Sequence, residues 1–251
     1  MKITECNISS QSFQSKKVFA LISDLHGESP NEAIAALEKI SPDYILAPGD
    51  IFEPLMPINA ELNESGYQLL RAAAKIAPTF YSPGNHEIGG TRSWSPKWRF
   101  AKGKQKTYSE ECLARVIETG VHFLDDETEV LDGICFGGLC SGLITDDMKP
   151  DLAFIERFAA MKSPKVLLCH HPEYYKKYLK GKGIDLIVSG HAHGGQWRIF
   201  GRGVFAPGQG IFPKYTSGVH DNTLVISKGL REKSIVPRIF NPTEVVKISV
   251  N

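Results

Sequence analysis

The stretch Val18-Phe-Ala-Leu-Ile-Ser-Asp24-Leu-His26 places two polar side chains directly after a short apolar run. Five apolar residues are too few for a helix, and an almost uninterrupted apolar run is typical of a strand buried on both faces. Asp24 and His26 therefore belong to the loop after this strand. Next comes Ser29-Pro-Asn-Glu32, which predicts a helix start with an N-cap, a proline in the first turn and a capping-box glutamate. Apolar residues at helical spacing then continue the helix to Ile40.

The same order of strand, polar loop and helix recurs along the chain. Polar clusters follow four more short apolar runs, at 44–47, 79–81, 166–169 and 186–188. Helical patterns lie between the runs, at about 62–77, 109–119, 152–161 and 173–180. Strands that alternate with helices predict an α/β sheet with helices on its faces, and ligands bind such sheets at the carboxyl ends of the strands. We therefore expect all five polar clusters to meet at one edge of the sheet.

After residue 195 the apolar runs become shorter and are separated by Gly and Pro, without helical patterns between them. Short apolar runs of this kind are typical of β-strands, and we expect them to form a second sheet that packs against the first. No linker rich in Ser, Pro, Gly or charge divides the polar clusters. We therefore expect residues 1–251 to form a single domain.

The composition is that of an ordinary globular protein. A formal net charge of +1 points to no class of partner, and 42% hydrophobic residues are enough for a sizeable core. The polar N-terminus lacks the apolar segment of a signal peptide, and no stretch approaches the ~18 apolar residues of a membrane span. Five scattered cysteines fit a reducing compartment better than a disulfide framework. We expect a cytoplasmic location.

The five polar clusters supply carboxylates, imidazoles and one amide. They are Asp24-Leu-His26, Gly49-Asp50, Gly84-Asn85-His86-Glu87, Cys169-His170-His171-Pro and Gly190-His191-Ala-His193-Gly-Gly. Such ligands suit divalent ions such as Mn, Fe or Zn, whereas thiolates would indicate structural zinc. Each cluster alone is more often a turn or a hydrogen-bonded core histidine than a metal site. Together they indicate a hydrolase site for two metal ions.

The order and spacing of these clusters resemble the calcineurin-like metallophosphoesterase family, whose pattern is D-x-H, G-D, G-N-H-D/E, H and G-H-x-H. The resemblance covers most of the chain. The GHAHGGQWR stretch from Gly190 and the later LVISKGL and NPTE stretches look like the branch with YkuE-like and UDP-2,3-diacylglucosamine-pyrophosphatase-like proteins. Lys228 stands where that branch is expected to have arginine. The resemblance implies an α/β fold of two packed mixed β-sheets flanked by helices, a four-layer α-β-β-α sandwich.

Carried over residue by residue, the resemblance also implies the ligands of two divalent ions. The first ion would be held by Asp24, His26, Asp50 and His193, and the second by Asp50, Asn85, His170 and His191. Asp50 would bridge the two ions. A hydroxide between them would attack phosphorus in a phosphomonoester, phosphodiester or pyrophosphate. The resemblance thus implies a metal-dependent phosphoric ester hydrolase with Mn, Fe or Zn.

His86 follows the predicted ligand Asn85, and the resemblance places it beside the phosphate. A protonated imidazole there would stabilise developing charge or protonate the leaving oxygen. The alternative for His86 is a purely structural role. Glu87 and Asp43 are candidates to orient an imidazole in the site.

Four further residues are candidates for contact with substrate: Gly194, Gln196, His171 and His220. Glycines after His193 would let backbone N–H groups approach a ligand closely. The alternatives are a tight turn at 194–196, simple packing for His171, and an ordinary loop position for His220.

The segment 91–107 contains six basic residues, no acidic residue and three aromatic residues. It is interpreted as a solvated surface loop, with a substrate clamp or lid and a site for single-stranded nucleic acid as alternatives. The expected substrate is a phosphorylated small molecule or a lipid-linked compound. Net charge gives no strong nucleic-acid signal, and no amphipathic basic helix indicates membrane binding. A silent metal-binding scaffold and a nuclease are the alternative functions, and the oligomeric state is not predicted.

Overall fold

The computed structural model describes residues 1–88, 108–140, 149–162, 164–232 and 237–251. The basic segment 91–107 lies outside these residues. The α-helices in the described ranges are α1 (Asn31–Ile40), α2 (Ala60–Ile76), α3 (Glu110–Ile117) and α4 (Leu152–Ala159). Short 3₁₀ turns lie at Pro57–Asn59 and His193–Gly195, and a π-helical turn lies at Tyr175–Leu179. None of the helices in these ranges has the length and hydrophobicity needed to cross a bilayer.

Sixteen strands are described, most of them short. In chain order they are β1 (Lys2–Ile8), β2 (Lys17–Leu21), β3 (Tyr44–Ala47), β4 (Thr79–Tyr81), β5 (His122–Phe123), β6 (Glu127–Leu131), β7 (Ile134–Leu139), β8 (Lys165–Cys169), β9 (Leu186–Ser189), β10 (Arg198–Ile199), β11 (Arg202–Gly203), β12 (Phe205–Ala206), β13 (Gly210–Ile211), β14 (Gly218–His220), β15 (Leu224–Ile226) and β16 (Glu244–Val250).

Twelve of these strands build two six-stranded mixed sheets. The first sheet has the order β1-β16-β2-β3-β4-β5, with β16 antiparallel to β2 and the strands from β2 to β5 parallel. The second sheet has the order β14-β15-β9-β8-β7-β6, with a parallel centre and antiparallel strands at both edges. The remaining four strands form two small antiparallel hairpins, β10–β11 and β12–β13.

The two sheets pack face to face around an apolar core. Phe19 and Phe80 of the first sheet share this core with Phe136 of the second, and the rings of Phe80 and Phe136 stack at 3.7 Å between centroids. Helices α1, α2 and α3 cover the outer face of the first sheet. The outer face of the second sheet is covered by α4 and the π-helical turn. The layers are therefore α-β-β-α, which confirms the predicted fold class.

Two local predictions were wrong. Helix α1 begins at Asn31 with Pro30 at the N-cap, and no side chain caps it, so Ser29 and Glu32 do not form a capping box. The polar clusters also do not share the edge of one sheet. Strands β2, β3 and β4 belong to the first sheet, whereas β8 and β9 belong to the second. Buried strands of either sheet have the same apolar pattern, so the pattern could not assign them.

The region after residue 195 does not form a separate sheet as expected. Strands β14 and β15 extend the second sheet, whereas β16 inserts between β1 and β2 of the first. The hairpins β10–β11 and β12–β13 stay outside both sheets. The end of the chain therefore ties the two sheets together.

Candidate metal centre

The loops after β2, β3 and β4 meet the loops after β8 and β9 at one end of the sandwich. The backbone N–H of His191 donates to Asp24 Oδ1 at 2.9 Å, which joins the two sheets directly. The N–H of Asp24 donates to the carbonyl oxygen of Gly49 at 3.2 Å. The N–H of Gly190 donates to the carbonyl oxygen of His170, also at 3.2 Å. The five polar clusters therefore do converge, although they come from two sheets.

Most of the predicted ligands have an unusual backbone conformation. Positive φ angles between 44° and 65° occur at Asp24, His26, Asp50, His191 and His193. Such angles are uncommon outside glycine, although Asp and His adopt them more readily than most residues. Sparsely populated conformations of this kind cost about 1–3 kcal/mol each and are concentrated at functional sites. The loops therefore hold these side chains in place at a cost in local stability.

The first predicted ligand set is assembled around Asp24. The Nε2 atom of His193 lies 3.6 Å from Asp24 Oδ1, and that of His26 lies 4.0 Å from the same oxygen. Asp24 and His26 are buried. Among the described residues, neither Asp24 Oδ2 nor His26 Nε2 has a hydrogen-bond partner.

The second predicted set is assembled around Asp50. His170 Nε2 lies 3.1 Å from Asp50 Oδ2, while His170 Nδ1 lies 2.7 Å from the carbonyl oxygen of Pro48. That carbonyl can only accept, so Nδ1 carries a proton and Nε2 is the ring nitrogen that faces Asp50. Buried atoms of this set without a hydrogen-bond partner in the described ranges are Asn85 Oδ1, His170 Nε2 and His191 Nε2.

Asp50 lies between the two sets. Its Oδ2 atom is 3.1 Å from His170 Nε2 and 3.7 Å from His26 Nε2, so one carboxylate oxygen faces an imidazole of each set. Its Oδ1 atom accepts the backbone N–H of His86 at 2.9 Å. This is the placement expected of a shared ligand.

The donor set fits divalent metal ions. Buried acceptors without partners cost free energy unless something compensates them, and carboxylate, amide and imidazole atoms are suitable metal ligands. Burial alone would raise the pKa of Asp50, but the imidazoles of His170 and His86 outweigh it and hold this pKa well below its ordinary value. Burial lowers the pKa of His193 to about 3, although Asp24 opposes the shift. Asp50 and His193 thus have the forms that bind metal, an anionic carboxylate and a neutral imidazole. Burial acts to lower the pKa of His170, but the Asp50 carboxylate outweighs it and raises this pKa to about 10. His170 would therefore release a proton when it binds a metal ion.

His86 lies beside this centre rather than within either set. Its Nδ1 atom is 2.8 Å from Glu53 Oε2, and its Nε2 atom is 4.0 Å from Asp50 Oδ2. Burial opposes protonation of His86, but the carboxylates of Asp50 and Glu53 outweigh it and raise its pKa to about 8. The ring remains partly exposed to solvent. His86 therefore faces the open side of the site, with Glu53 behind its ring.

Glu53 is a site residue that the sequence analysis missed. Besides His86, it approaches His26 Nδ1 at 3.3 Å, so one carboxylate contacts two histidines of the site. Burial acts to raise the pKa of Glu53, but contacts with His26 and His86 lower it below its ordinary value. The available signal was a charged residue three positions after Asp50 in the otherwise apolar run Ile51-Phe52-Glu53-Pro54-Leu55.

The two residues proposed to orient an imidazole have other contacts. Glu87 is fully buried and accepts the backbone N–H groups of Asp50, Phe52 and Gly84 at 2.7–2.9 Å. It therefore fixes the ligand loops instead of a histidine ring. Asp43 accepts the N–H of Val18 at the opposite end of the first sheet.

The candidate substrate contacts fall in three places. His171 is buried next to the ligand cluster, with its ring 4.2 Å from that of His191 and its Nδ1 3.1 Å from Glu173 Oε1. Gly194 and Gln196 lie in the turn after His193, which Asn241 fixes by donating to the carbonyls of His193 and Gln196.

His220 lies at the edge of the second sheet, where it packs against Tyr215. It pairs with Leu224, at the end of β15 that points away from the ligand loops. The structure thus brings His171, Gly194 and Gln196 to the centre but not His220.

Arg238 is a second residue that sequence reasoning missed. It donates to the carbonyls of Lys228 and Arg231, and its Nη2 atom lies 3.4 Å from His193 Nδ1. It lies outside the motifs, so no spacing pointed to it.

Comparisons with known proteins identify the family of this chain. The calcineurin-like phosphoesterase family matches residues 17–195. An uncharacterized metallophosphoesterase of Helicobacter pylori is 25% identical over 256 residues, which cover 97% of this chain and 62% of the relative. The uncharacterized protein YpbG of Bacillus subtilis is 48% identical over 42 residues, which cover 17% of this chain and 15% of that protein.

The chain thus spans about three fifths of the length of the Helicobacter pylori relative. A solved purple acid phosphatase from yellow lupin seeds covers 72% of this chain and 38% of its own, at 14% identity and a TM-score of 0.38. The family match includes all five ligand loops, from Asp24 to His193. This chain belongs to the calcineurin-like phosphoesterase family.

Proposed function

We propose that this chain hydrolyses a phosphate ester or pyrophosphate with two divalent metal ions. The observation that carries this proposal is the position of Asp50 Oδ2, within 4 Å of an imidazole nitrogen of each ligand set. On both sides of it lie buried acceptors that have no hydrogen-bond partner within the described part of the chain, at Asp24, His26, Asn85, His170 and His191. Two adjacent cations need a shared anionic ligand, and Asp50 has the charge and the position for that role.

The seven predicted ligands divide between the two ions. Asp24, His26 and His193 would hold one ion, Asn85, His170 and His191 would hold the other, and Asp50 would contact both. When bound, the ions would supply an activated water and polarise the phosphoryl oxygens. The contact from His170 Nδ1 to the Pro48 carbonyl keeps Nε2 available as a ligand, and contacts of this kind are typical of metal-binding histidines.

His86 would donate a proton to the leaving oxygen. Its raised pKa keeps it protonated near neutral pH, and its partly exposed ring faces the side from which a substrate can approach. Glu53 would hold the ring through Nδ1, so that Nε2 points toward the reacting group. After donation the Glu53 carboxylate would favour return of a proton to His86.

The proposed substrate is a phosphorylated small molecule or a lipid-linked compound with a phosphomonoester, phosphodiester or pyrophosphate bond. The sequence resemblance to the YkuE-like and UDP-2,3-diacylglucosamine-pyrophosphatase-like branch supports the lipid-linked form. His171, Gly194 and Gln196 would contact the substrate, because they border the ligand cluster. The alternative is a metal-binding scaffold without catalytic activity. The presence of every predicted ligand at the site favours the enzyme.

The test is a substrate panel with purified protein that is stripped of metal and reloaded with Mn²⁺, Fe²⁺ or Zn²⁺ separately. The panel contains an aryl phosphate, a bis-aryl phosphate, a nucleotide diphosphate sugar and a single-stranded oligonucleotide. We expect metal-dependent release of product from at least one of the first three. The variant Asp50→Asn should be inactive, whereas Asp43→Asn, a carboxamide at the opposite end of the same sheet, should retain activity.

Two results would contradict the proposal. Full occupancy by two metal ions without turnover of any substrate would indicate a scaffold. Turnover of the oligonucleotide alone would contradict the proposed substrate class and would indicate a nuclease.

A further inference from the structure

The hairpins that follow the metal centre expose an unusual amount of apolar surface. We name residues 197–212 with 239–240 the hairpin surface. Phe205 and Ile211 are cross-strand partners in the β12–β13 hairpin, and both side chains are exposed. Trp197 and Ile239 are joined by a β-bridge, and both are exposed as well. Paired residues point to the same side of their strands, so these side chains form apolar patches rather than scattered contacts.

Three phenylalanines extend from the turns of this surface. Phe200, Phe212 and Phe240 are 102%, 66% and 86% exposed. All three have φ angles between 49° and 52°, in the left-handed region. Glycine and asparagine are the usual residues there, and a bulky side chain is an outlier that signals strain or function. Three strained and exposed phenylalanines in one small region are not explained by packing.

The hairpin surface is part of one connected unit. The N–H of Phe212 donates to the carbonyl of Val204, and the N–H of Arg198 donates to that of Ile239. The N–H of Val204 also donates to the carbonyl of Gly195 at 3.1 Å, in the turn that follows His193. The exposed apolar groups are therefore attached directly to a loop of the metal centre.

The charge of this region differs from that of the whole chain. Residues 197–214 contain three basic residues, Arg198, Arg202 and Lys214, and no acidic residue, whereas the chain as a whole has a net charge of only +1. Arg198, Arg202 and Lys214 line a cavity together with Phe212. Basic groups between exposed apolar groups match a surface that offers both hydrocarbon and negative charge.

We propose that the hairpin surface docks on an anionic lipid bilayer. Phenylalanine and isoleucine side chains would insert between the lipid headgroups, and the basic residues would contact the lipid phosphates. Single-stranded nucleic acid would use the rings and the positive charge, but it would leave Ile199, Ile211 and Ile239 exposed to water. Exposed apolar patches on a protein surface mark sites of interaction with membranes or with other proteins.

The test is vesicle flotation with the full chain. One set of vesicles contains phosphatidylcholine only, and the other contains equal parts of phosphatidylcholine and phosphatidylglycerol. We expect binding to the anionic vesicles that weakens as salt rises, because the basic residues contribute. In the triple variant Phe200→Asn, Phe212→Asn and Phe240→Asn, the partition coefficient should fall by about tenfold or more.

Asparagine keeps these variants interpretable, because it tolerates the left-handed conformation and removes only the apolar ring. The matched control is Ile117→Asn, at the end of α3, where the isoleucine is 54% exposed. It should bind vesicles like the wild type. Hydrolysis of a soluble aryl phosphate should be the same in all three proteins, so failure of docking and failure of catalysis are distinguishable.

Four outcomes would overturn the proposal. The first is that the wild type does not float with anionic vesicles at low salt. The second is that the triple variant floats as well as the wild type. The third is a dimer of the wild type that the triple variant does not form, which would assign the surface to contact with a second copy of the chain. The fourth is binding of single-stranded DNA without binding of vesicles, which would assign the hairpin surface to nucleic acid.

Discussion

At the scale of single residues, three carboxylates in and around the site, Asp50, Glu53 and Glu87, contact different groups. Asp50 lies between the two ligand sets, Glu53 contacts the histidines His26 and His86, and Glu87 holds the backbone of the ligand loops. Burial together with the nearby Asp50 carboxylate raises the pKa of Glu87 to about 7, although backbone N–H groups oppose the shift. Each carboxylate therefore has a distinct partner, and each can be tested by a variant that removes only its charge.

The variant Glu53→Gln should lower kcat by about 10–100-fold, because the carboxylate that orients and charges His86 is lost. Metal content, measured by elemental analysis, should remain that of the wild type. Glu64→Gln, which removes a surface contact to Arg115, is the matched control and should leave kcat unchanged. Loss of metal from Glu53→Gln would show that Glu53 supports the ligand His26 instead.

The variant His86→Asn should retain both ions but lower kcat by about 10²–10⁴-fold on a substrate with a poor leaving group. An alkoxide leaving group needs the proton, whereas a nitrophenolate leaves without it. The loss should therefore be much smaller for a nitrophenyl phosphate. An equal loss for both substrates would contradict a role as proton donor. The control is His122→Asn, on the edge strand β5.

At the scale of elements, the site depends on close approach between loops of the two sheets. A side-chain carbon at Gly190 would lie 2.8 Å from Ser23 Cβ and would overlap the carboxylate of Asp24. Only glycine lets the loop after β9 approach the loop after β2. Gly190 is therefore required by packing.

The variant Gly190→Ala should displace Asp24 and reduce bound metal, with a lower melting temperature. Gly181→Ala is a suitable control, because an added carbon there meets no atom within 4 Å. Its positive φ makes it a test of backbone strain alone. If Gly190→Ala keeps full metal content and activity, the close contact between the two sheets is not needed for the site.

The sequence predicted local elements better than their arrangement. Strands β3 and β4 have the predicted bounds, and both ends of α2 and of α4 lie within two residues of the predicted ones. The assignment of β8 and β9 to a sheet was wrong, because buried strands of both sheets look alike. Strand β1 was not predicted at all. Its pairing with β16 joins the two ends of the chain, and a local pattern contains no signal for such a pair.

The same distinction applies to the site. The ligand loops were found because Asp, His and Asn follow apolar runs at a recognisable spacing. Glu53 was missed because its role depends on contacts with two histidines that are distant in sequence. Arg238 was missed for the same reason, since it reaches His193 only in the folded chain.

At the scale of the whole molecule, the metal centre closes one end of the sandwich. Ligands from the first sheet face ligands from the second, so bound ions would link the two halves of the fold. Such a link stabilises only the folded state, because the ligand set does not exist in the unfolded chain.

Addition of Mn²⁺ at about 100 times its Kd should therefore stabilise the metal-free protein by about 2.7 kcal/mol. This corresponds to a rise of roughly 5–10 °C in the melting temperature of a chain of this size. The variant Asp50→Asn should lose the rise, whereas Asp43→Asn should keep it. A rise of equal size in Asp50→Asn would mean that the ions bind elsewhere.

Metal stoichiometry of the wild type and of Asp50→Asn, measured by elemental analysis after reloading with Mn²⁺, tests the shared-ligand assignment most directly. We predict two equivalents in the wild type and fewer than one in Asp50→Asn, because both ions lose a ligand in that variant. Asp43→Asn should retain two. One equivalent in the wild type, or two in Asp50→Asn, would contradict a centre in which Asp50 joins two metal ions.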